Sequence, residues 1–193
     1  SIFQEVLNEA DIATPDGKPL AVGMNLLYGT KQERIAGSDI MPALMQRAHE
    51  EGLSVFFYGN SDKVLDELEA VMAKDYPNAK VAGRCSPPFR SLDKTWVMKD
   101  IEGVEKIAAT DAQMVFVSLG CPKQEIWMAR HKEYLNAVMV GLGGAFPIVA
   151  GMEERAPEWM QKYCLEWLHR FMTEPGRLFQ RYLVTNTLFL LYF

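Results

Sequence analysis

Several places along the chain hold residue types that could do chemistry. Cys121 follows the apolar run Gln113–Ser118, where a nucleophile could stand. No histidine lies near it in sequence. His49, His131 and His169 fall in stretches of helical pattern and are expected to be exposed, so Cys121 reads as a plain small residue. Gln124-Glu125 follow closely, and an amide and an acid in the first turn of a helix suit the macrodipole. Gly141-Leu-Gly-Gly-Ala-Phe146 suggests a dinucleotide fingerprint, but Phe146 stands where the third glycine belongs and the acidic partner lacks its context. A nicotinamide site is therefore not expected. Pro15-Asp-Gly17 carries a carboxylate that could move a proton, yet the triplet reads first as a turn. Pro sets φ, Asp can bond its own backbone, and Gly supplies positive φ.

The elements that must position these residues alternate short apolar runs with amphipathic stretches. Ser54–Tyr58 reads as a strand stopped by Gly59, and Ser61 caps a helix whose apolar positions Val64, Leu65, Leu68, Val71 and Met72 keep helical spacing. Lys80–Ala82, Gln113–Ser118 and Ala137–Val140 give further strands, with Pro122 placed to begin a helix. Asp39–Glu51 gives a helix with Met41, Leu44, Met45 and Ala48 inward and Gly52 as its stop. Such alternation predicts an α/β fold: a Rossmann-like, mostly parallel sheet with helices on both faces. In such sheets ligands collect beyond the carboxyl ends of the strands. Here those ends are Gly59-Asn60-Ser61, Gly120-Cys121-Pro122 and Gly141-Leu-Gly143-Gly144, small-residue turns that let backbone approach a nucleotide or phosphate.

After Arg155 the texture changes. Pro157 is expected to start one helix with an apolar stripe from Trp159 to Phe171, broken at Pro175-Gly176, and a final helix runs into the apolar end at Phe193. We therefore expect a body over 1–155 and a helical C-terminal appendage over 156–193. Residues 168–193 hold Arg170, Arg177 and Arg181 against Glu174 alone, so the rest of the chain carries all of its negative excess. Arg177 and Arg181 are one turn apart and share a face. Those arginines read either as a solvated face or as contacts with anionic lipid.

Composition sets the outer limits. The 193 residues carry a net charge of −5 and are 49% hydrophobic, enough for a real core. Mean hydropathy of −0.08 and 11% aromatic residues exclude a disordered chain, and no apolar run approaches the roughly 20 residues of a membrane span. Net acidity argues against nucleic acid as a partner. The scattered Cys85, Cys121 and Cys164 suit free thiols in a reducing compartment, and the opening residues lack a signal-peptide pattern. The expectation is a cytosolic protein.

Several of these features fall in register. The runs Gly120-Cys-Pro-Lys-Gln-Glu125, Gly141-Leu-Gly-Gly-Ala-Phe146, Arg155-Ala-Pro157 and Glu166 to Tyr182, preceded by Pro15-Asp-Gly17, Glu33-Arg-Ile-Ala-Gly37 and Ser86-Pro-Pro-Phe89, resemble the WecG/TagA/CpsF glycosyltransferases, family 26. The resemblance spans essentially the whole chain. It implies transfer of a hexosyl group, commonly of the N-acetylmannosamine type, from a UDP-sugar to a polyprenyl-diphosphate-linked sugar. Such enzymes build teichoic acid, enterobacterial common antigen or exopolysaccharide at the cytoplasmic membrane face of bacteria.

The resemblance also implies roles. Asp16 becomes the base, while Arg34 and Gln124 line the reacting pocket. Gly59, Asn60, Gly120, Pro122, Glu125, Gly141, Gly143, Gly144 and Arg155 fall among the substrate-binding positions. Arg170, Arg177 and Arg181 match appendage arginines, and that appendage is expected both to dock on lipid and to complete the active site. No cofactor or metal is expected, and no Asp-x-Asp pair occurs in the chain. A homo-oligomer is a further expectation. Two departures stand out: family domains begin earlier, with a Thr-x-Asn motif before a helix like 2–10, and Pro147 replaces a common Asp. The competing reading is a non-catalytic nucleotide-sugar or membrane-binding module.

Overall fold

The computed structural model describes residues 2–88, 100–163, 165–173 and 176, with Arg170 described in its backbone only. The described elements begin with α1 (Ile2–Asn8), α2 (Lys18–Tyr28), α3 (Gly37–Glu51), β1 (Ser54–Gly59), α4 (Asp62–Asp75) and β2 (Lys80–Cys85). They continue with α5 (Ile101–Ala108), β3 (Met114–Ser118), α6 (Lys123–His131), β4 (Val138–Gly141), α7 (Ala145–Val149), α8 (Glu158–Lys162) and α9 (Glu166–Thr173). Two compact units result. One joins Ser1–Ala13 to Gly37–Glu153; the other joins Thr14–Ala36 to Glu154–Phe193.

The first unit carries the expected α/β fold. Its four strands are all parallel, in the order β2-β1-β3-β4. Every residue of β1 and β3 is buried, which is what a strand covered on both faces requires. Because side chains alternate, Val55, Phe57, Met114 and Phe116 point to one face and Phe56, Tyr58, Val115 and Val117 to the other. On the first face Phe57 meets Phe116 and Phe146 edge-on, at 5.8 and 5.9 Å between ring centroids. There α3, α4 and α7 close over the strands through Met41, Met45, Leu65, Leu68 and Phe146. On the second face α5 and α6 pack through Ile107 and Trp127, with Trp127 stacked on Tyr58 at 4.5 Å. Each such buried side chain contributes roughly 1.5–3 kcal/mol of transfer free energy.

Local signals fix the element ends. The Ser61 hydroxyl accepts from Val64 N at 3.5 Å and caps α4, as its place in the sequence predicts. Asp100 caps α5 by accepting from Gly103 N at 3.2 Å. Its other oxygen accepts the Trp127 indole N–H at 2.9 Å and the Tyr58 hydroxyl. Burial, reinforced by that carboxylate, pushes the Tyr58 hydroxyl pKa far up.

Histidine 131 corrects the sequence reading. It is buried rather than exposed, because α6 turns that face inward: the ring lies against Trp127 and Nδ1 donates to the Trp127 carbonyl at 2.8 Å.

In the second unit, α2 begins with Pro19 in its first turn and ends at Gly29, whose φ of 63° lets its N–H return to the Asn25 carbonyl. The sequence reading had no helix here. The chain then runs back beside α2. Asn25 holds it there, its Oδ1 accepting from Gln32 N and Thr30 Oγ1 (2.7 Å each) and its Nδ2 donating to the Gln32 carbonyl at 2.9 Å. Ile35 N donates to the Pro15 carbonyl at 3.1 Å and closes the hairpin. The single helix expected from Pro157 to Phe171 is two helices. Leu165 N bonds the Met160 carbonyl, which terminates α8, and the Leu165 carbonyl starts α9 by accepting from His169 N. The helix expected after Gly176 lies outside the described residues. No described helix is long and apolar enough to cross a membrane.

Candidate functional site

In the first unit the strand order reverses between β1 and β3, which places the ligand crevice of such a sheet at their carboxyl ends. The residues gathered there were mostly named from sequence. Gly59 ends β1 at φ 105°, and a Cβ on it would stand 2.5 Å from the Ser118 carbonyl oxygen, so only glycine fits. Asn60 takes a left-handed φ of 68°; its N–H bonds the Ser118 carbonyl at 3.0 Å. Its Nδ2 donates to Ser118 Oγ at 3.1 Å, and Ser118 Oγ donates to the Gly143 carbonyl at 2.8 Å. One relay therefore ties the ends of β1 and β3 to the turn after β4. Ser118 was not singled out from sequence, although it closes the strongest strand signal.

Gln124 and Glu125 form the polar heart of this crevice. Gln124 sits in the first turn of α6, which follows a cis Cys121–Pro122 peptide and takes Pro122 as its N-cap. The Gln124 N–H is held by the Gly120 carbonyl at 3.0 Å. The side chain is 7% exposed, and its Nε2 donates to Glu125 Oε1 at 2.9 Å. That bond orients the amide, leaving Gln124 Oε1 and Glu125 Oε2 buried with no hydrogen-bond partner. Both are acceptors, so what would satisfy them is an N–H or O–H group. Gly141 and Gly143 make room for the amide. A Cβ on Gly141 would lie 3.0 Å from Gln124 Nε2, and one on Gly143 3.2 Å from Gln124 Oε1. Beside Gly120 and Gly144, by contrast, a Cβ would meet nothing within 4 Å, so both turns are open.

In the second unit the structure brings Asp16, Arg34 and Arg155 into one network. Arg34 Nε donates to the Asp16 carbonyl at 2.7 Å, and its NH2 lies 3.8 Å from the Asp16 carboxylate. The same NH2 pairs with Glu166 Oε2 at 2.6 Å, while Arg155 Nε lies 3.9 Å from Glu166 Oε1. The Arg34 side chain is only 11% exposed, but that of Asp16 is 65% exposed. A pinned cation thus stands beside an accessible carboxylate. Glu166, which organises both arginines, was missed as a site residue, though it opens the last of the matching runs and stands in the first turn of a helix. Arg170 lies in α9; Arg177 and Arg181 lie outside the described residues. Among the described residues no group of three or more His, Cys, Asp or Glu side chains could hold a metal ion.

The model of the glycosyl transferase WecG/TagA/CpsF family matches residues 1–193. A curated relative from Bacillus spizizenii, an N-acetylglucosaminyldiphosphoundecaprenol N-acetyl-beta-D-mannosaminyltransferase, is 35% identical over 176 residues. That stretch is 91% of this chain and 65% of the relative. A protein of the same name from Bacillus subtilis is 33% identical over 176 residues, 91% of this chain and 66% of its own length. The chain therefore spans slightly less than two thirds of these relatives.

Proposed function

Matched by one family model from its first residue to its last, this chain belongs to the glycosyl transferase WecG/TagA/CpsF family, and from that membership we propose that it is a metal-independent, inverting hexosyltransferase. The donor is a UDP-sugar of the N-acetylmannosamine type. The acceptor is a polyprenyl-diphosphate-linked sugar, as in the names of the two relatives. The protein works at the inner face of the bacterial membrane, where such an acceptor presents its sugar, and contributes to a cell-surface polymer.

The observation that carries this reading is the Asp16–Arg34 pair. An acceptor hydroxyl attacking an anomeric carbon must lose its proton, and the exposed Asp16 carboxylate is free to take it. The new bond joins the acceptor oxygen to the anomeric carbon. The bond from that carbon to the UDP oxygen breaks, and its electron pair leaves with the diphosphate. That charge needs cations or aligned dipoles in place beforehand. Arg34 and Arg155, held by Glu166, are such cations within the second unit, and the appendage arginines add to them. The strand ends of the first unit have open glycine turns and buried acceptor oxygens of their own, which suit the hydroxyls of a nucleotide.

The test is a transfer assay with a UDP-sugar and a prenyl-diphosphate-linked acceptor, comparing the native chain with Asp16→Asn. Loss of a general base predicts a rate lower by about 10²–10⁴-fold with donor binding retained. Equal rates would remove Asp16 from the chemistry.

A further inference from the structure

A groove of about 360 Å³ lies in the second unit between α2 and the returning residues 30–34. Its lining includes three cations, Lys18, Lys31 and Arg34, against the single carboxylate of Glu33. Among the described residues neither lysine takes part in an ion pair, so the positive charge of Lys18 and Lys31 is uncommitted. The α2 side of the groove has a direction. Lys18 and Val22 line it, and Leu26 continues the same line one turn on, since residues four apart on a helix stand one above the other. Val22 is 42% exposed and Leu26 72% exposed. Over about 12 Å of helix, the edge thus changes from cationic to apolar. Its cationic end is next to Asp16, whose backbone and carboxylate hold Arg34.

We infer that this groove takes the diphosphate and the first isoprenyl units of a prenyl-diphosphate amphiphile, the lipid end of the acceptor. The inference rests on the acceptor class in the proposed function. The diphosphate sits against Lys18 and Lys31, and the hydrocarbon follows Val22 and Leu26. A nucleoside diphosphate offers the same charge but no hydrocarbon, so it leaves the apolar edge unmatched. The order of charge and grease also orients the ligand: with the diphosphate near Lys18, a sugar attached to it lies within reach of the Asp16 carboxylate, where its hydroxyl is to be deprotonated.

The experiment measures equilibrium binding of farnesyl diphosphate, inorganic pyrophosphate and UDP to the full chain, to Lys18→Gln/Lys31→Gln and to Val22→Ser/Leu26→Ser. Loss of two charge-assisted contacts predicts farnesyl diphosphate and pyrophosphate binding weakened about tenfold or more in the lysine variant, with UDP affinity unchanged. The apolar variant should weaken farnesyl diphosphate several-fold, about the effect of one buried aliphatic contact, and leave pyrophosphate alone. Unchanged farnesyl diphosphate binding in both variants would overturn the inference, as would a loss confined to UDP. UDP binding also reports that each variant is folded. Lysine-dependent farnesyl diphosphate binding without any sugar transfer would leave the groove assigned and defeat only the proposed reaction.

Discussion

Gln124 acquires its orientation from its neighbours rather than from its own preferences. Glu125 accepts one amide proton, and Gly141 and Gly143 clear the space on the other side. Replacing Gly143 by Ala places a Cβ 3.2 Å from Gln124 Oε1 and also forces a side chain onto a backbone with φ 47°. The left-handed conformation alone costs about 1–2 kcal/mol for a residue with a Cβ. We expect a chain that still folds, with a lower melting temperature and donor affinity reduced about tenfold in a UDP titration. His131 supplies a second test at this scale. Burial lowers its pKa below the ordinary 6.5, and the hydrogen bond to the Trp127 carbonyl only partly opposes that. A base depressed in the folded state binds protons more readily when unfolded. Its neutral burial therefore contributes fully above pH 6.5, and the contribution is lost as pH falls below that value towards the folded pKa. Urea midpoints of the native chain should decline between pH 7 and pH 5.5, and those of His131→Gln should decline less steeply.

Among the elements, α9 matters through its first turn. Glu166 stands there and pairs with Arg34 at 2.6 Å, so the helix and the 14–36 hairpin of the second unit share one ion pair. Removing the carboxylate leaves a largely buried guanidinium with a poorer set of partners. Glu166→Ala should cost about 1–3 kcal/mol of stability, in the range for a hydrogen bond to a charged group. If Arg34 stabilises the leaving diphosphate, kcat should fall about tenfold while the acceptor KM moves little. Glu166→Asp should restore part of the rate, and an unchanged kcat in Glu166→Ala would confine the pair to a structural role. The central strands tell a simpler story at this scale. β1 and β3 were legible because six and five consecutive residues are buried, and continuous apolar runs are what strands covered on both faces need. Helix α2 was not legible. Its Leu20, Leu26, Leu27 and Tyr28 are exposed, so no one-sided stripe marks it as a helix in the sequence.

For the whole molecule, what the sequence disclosed follows how each feature is encoded. The parallel sheet and its glycine-rich strand ends are written in contiguous residues, and the structure places Gly59, Asn60, Gly120, Gln124, Gly141 and Gly143 together as expected. Features made by distant segments were not readable. The Asp16–Arg34–Glu166 network joins residues far apart in the chain. His131 looked exposed because the helical pattern alone does not say which flank of a helix meets a neighbouring Trp127. The resemblance to a family pointed to Asp16 and Arg34; only the fold supplied Glu166, the acid that pairs with Arg34 and stands by Arg155.

Asn25 has a consequence of a different kind. It holds residues 30–32 through side-chain hydrogen bonds, whereas β1 and β3 hold each other through an unbroken backbone ladder. Amides fastened by one side chain open locally, while ladder amides in a buried sheet exchange only when the body comes apart. The molecule accordingly keeps two clocks: a fast one in the groove beside α2, set by a single asparagine, and a slow one in the sheet, set by global stability. Hydrogen exchange at Gln32 reads the first without disturbing the second.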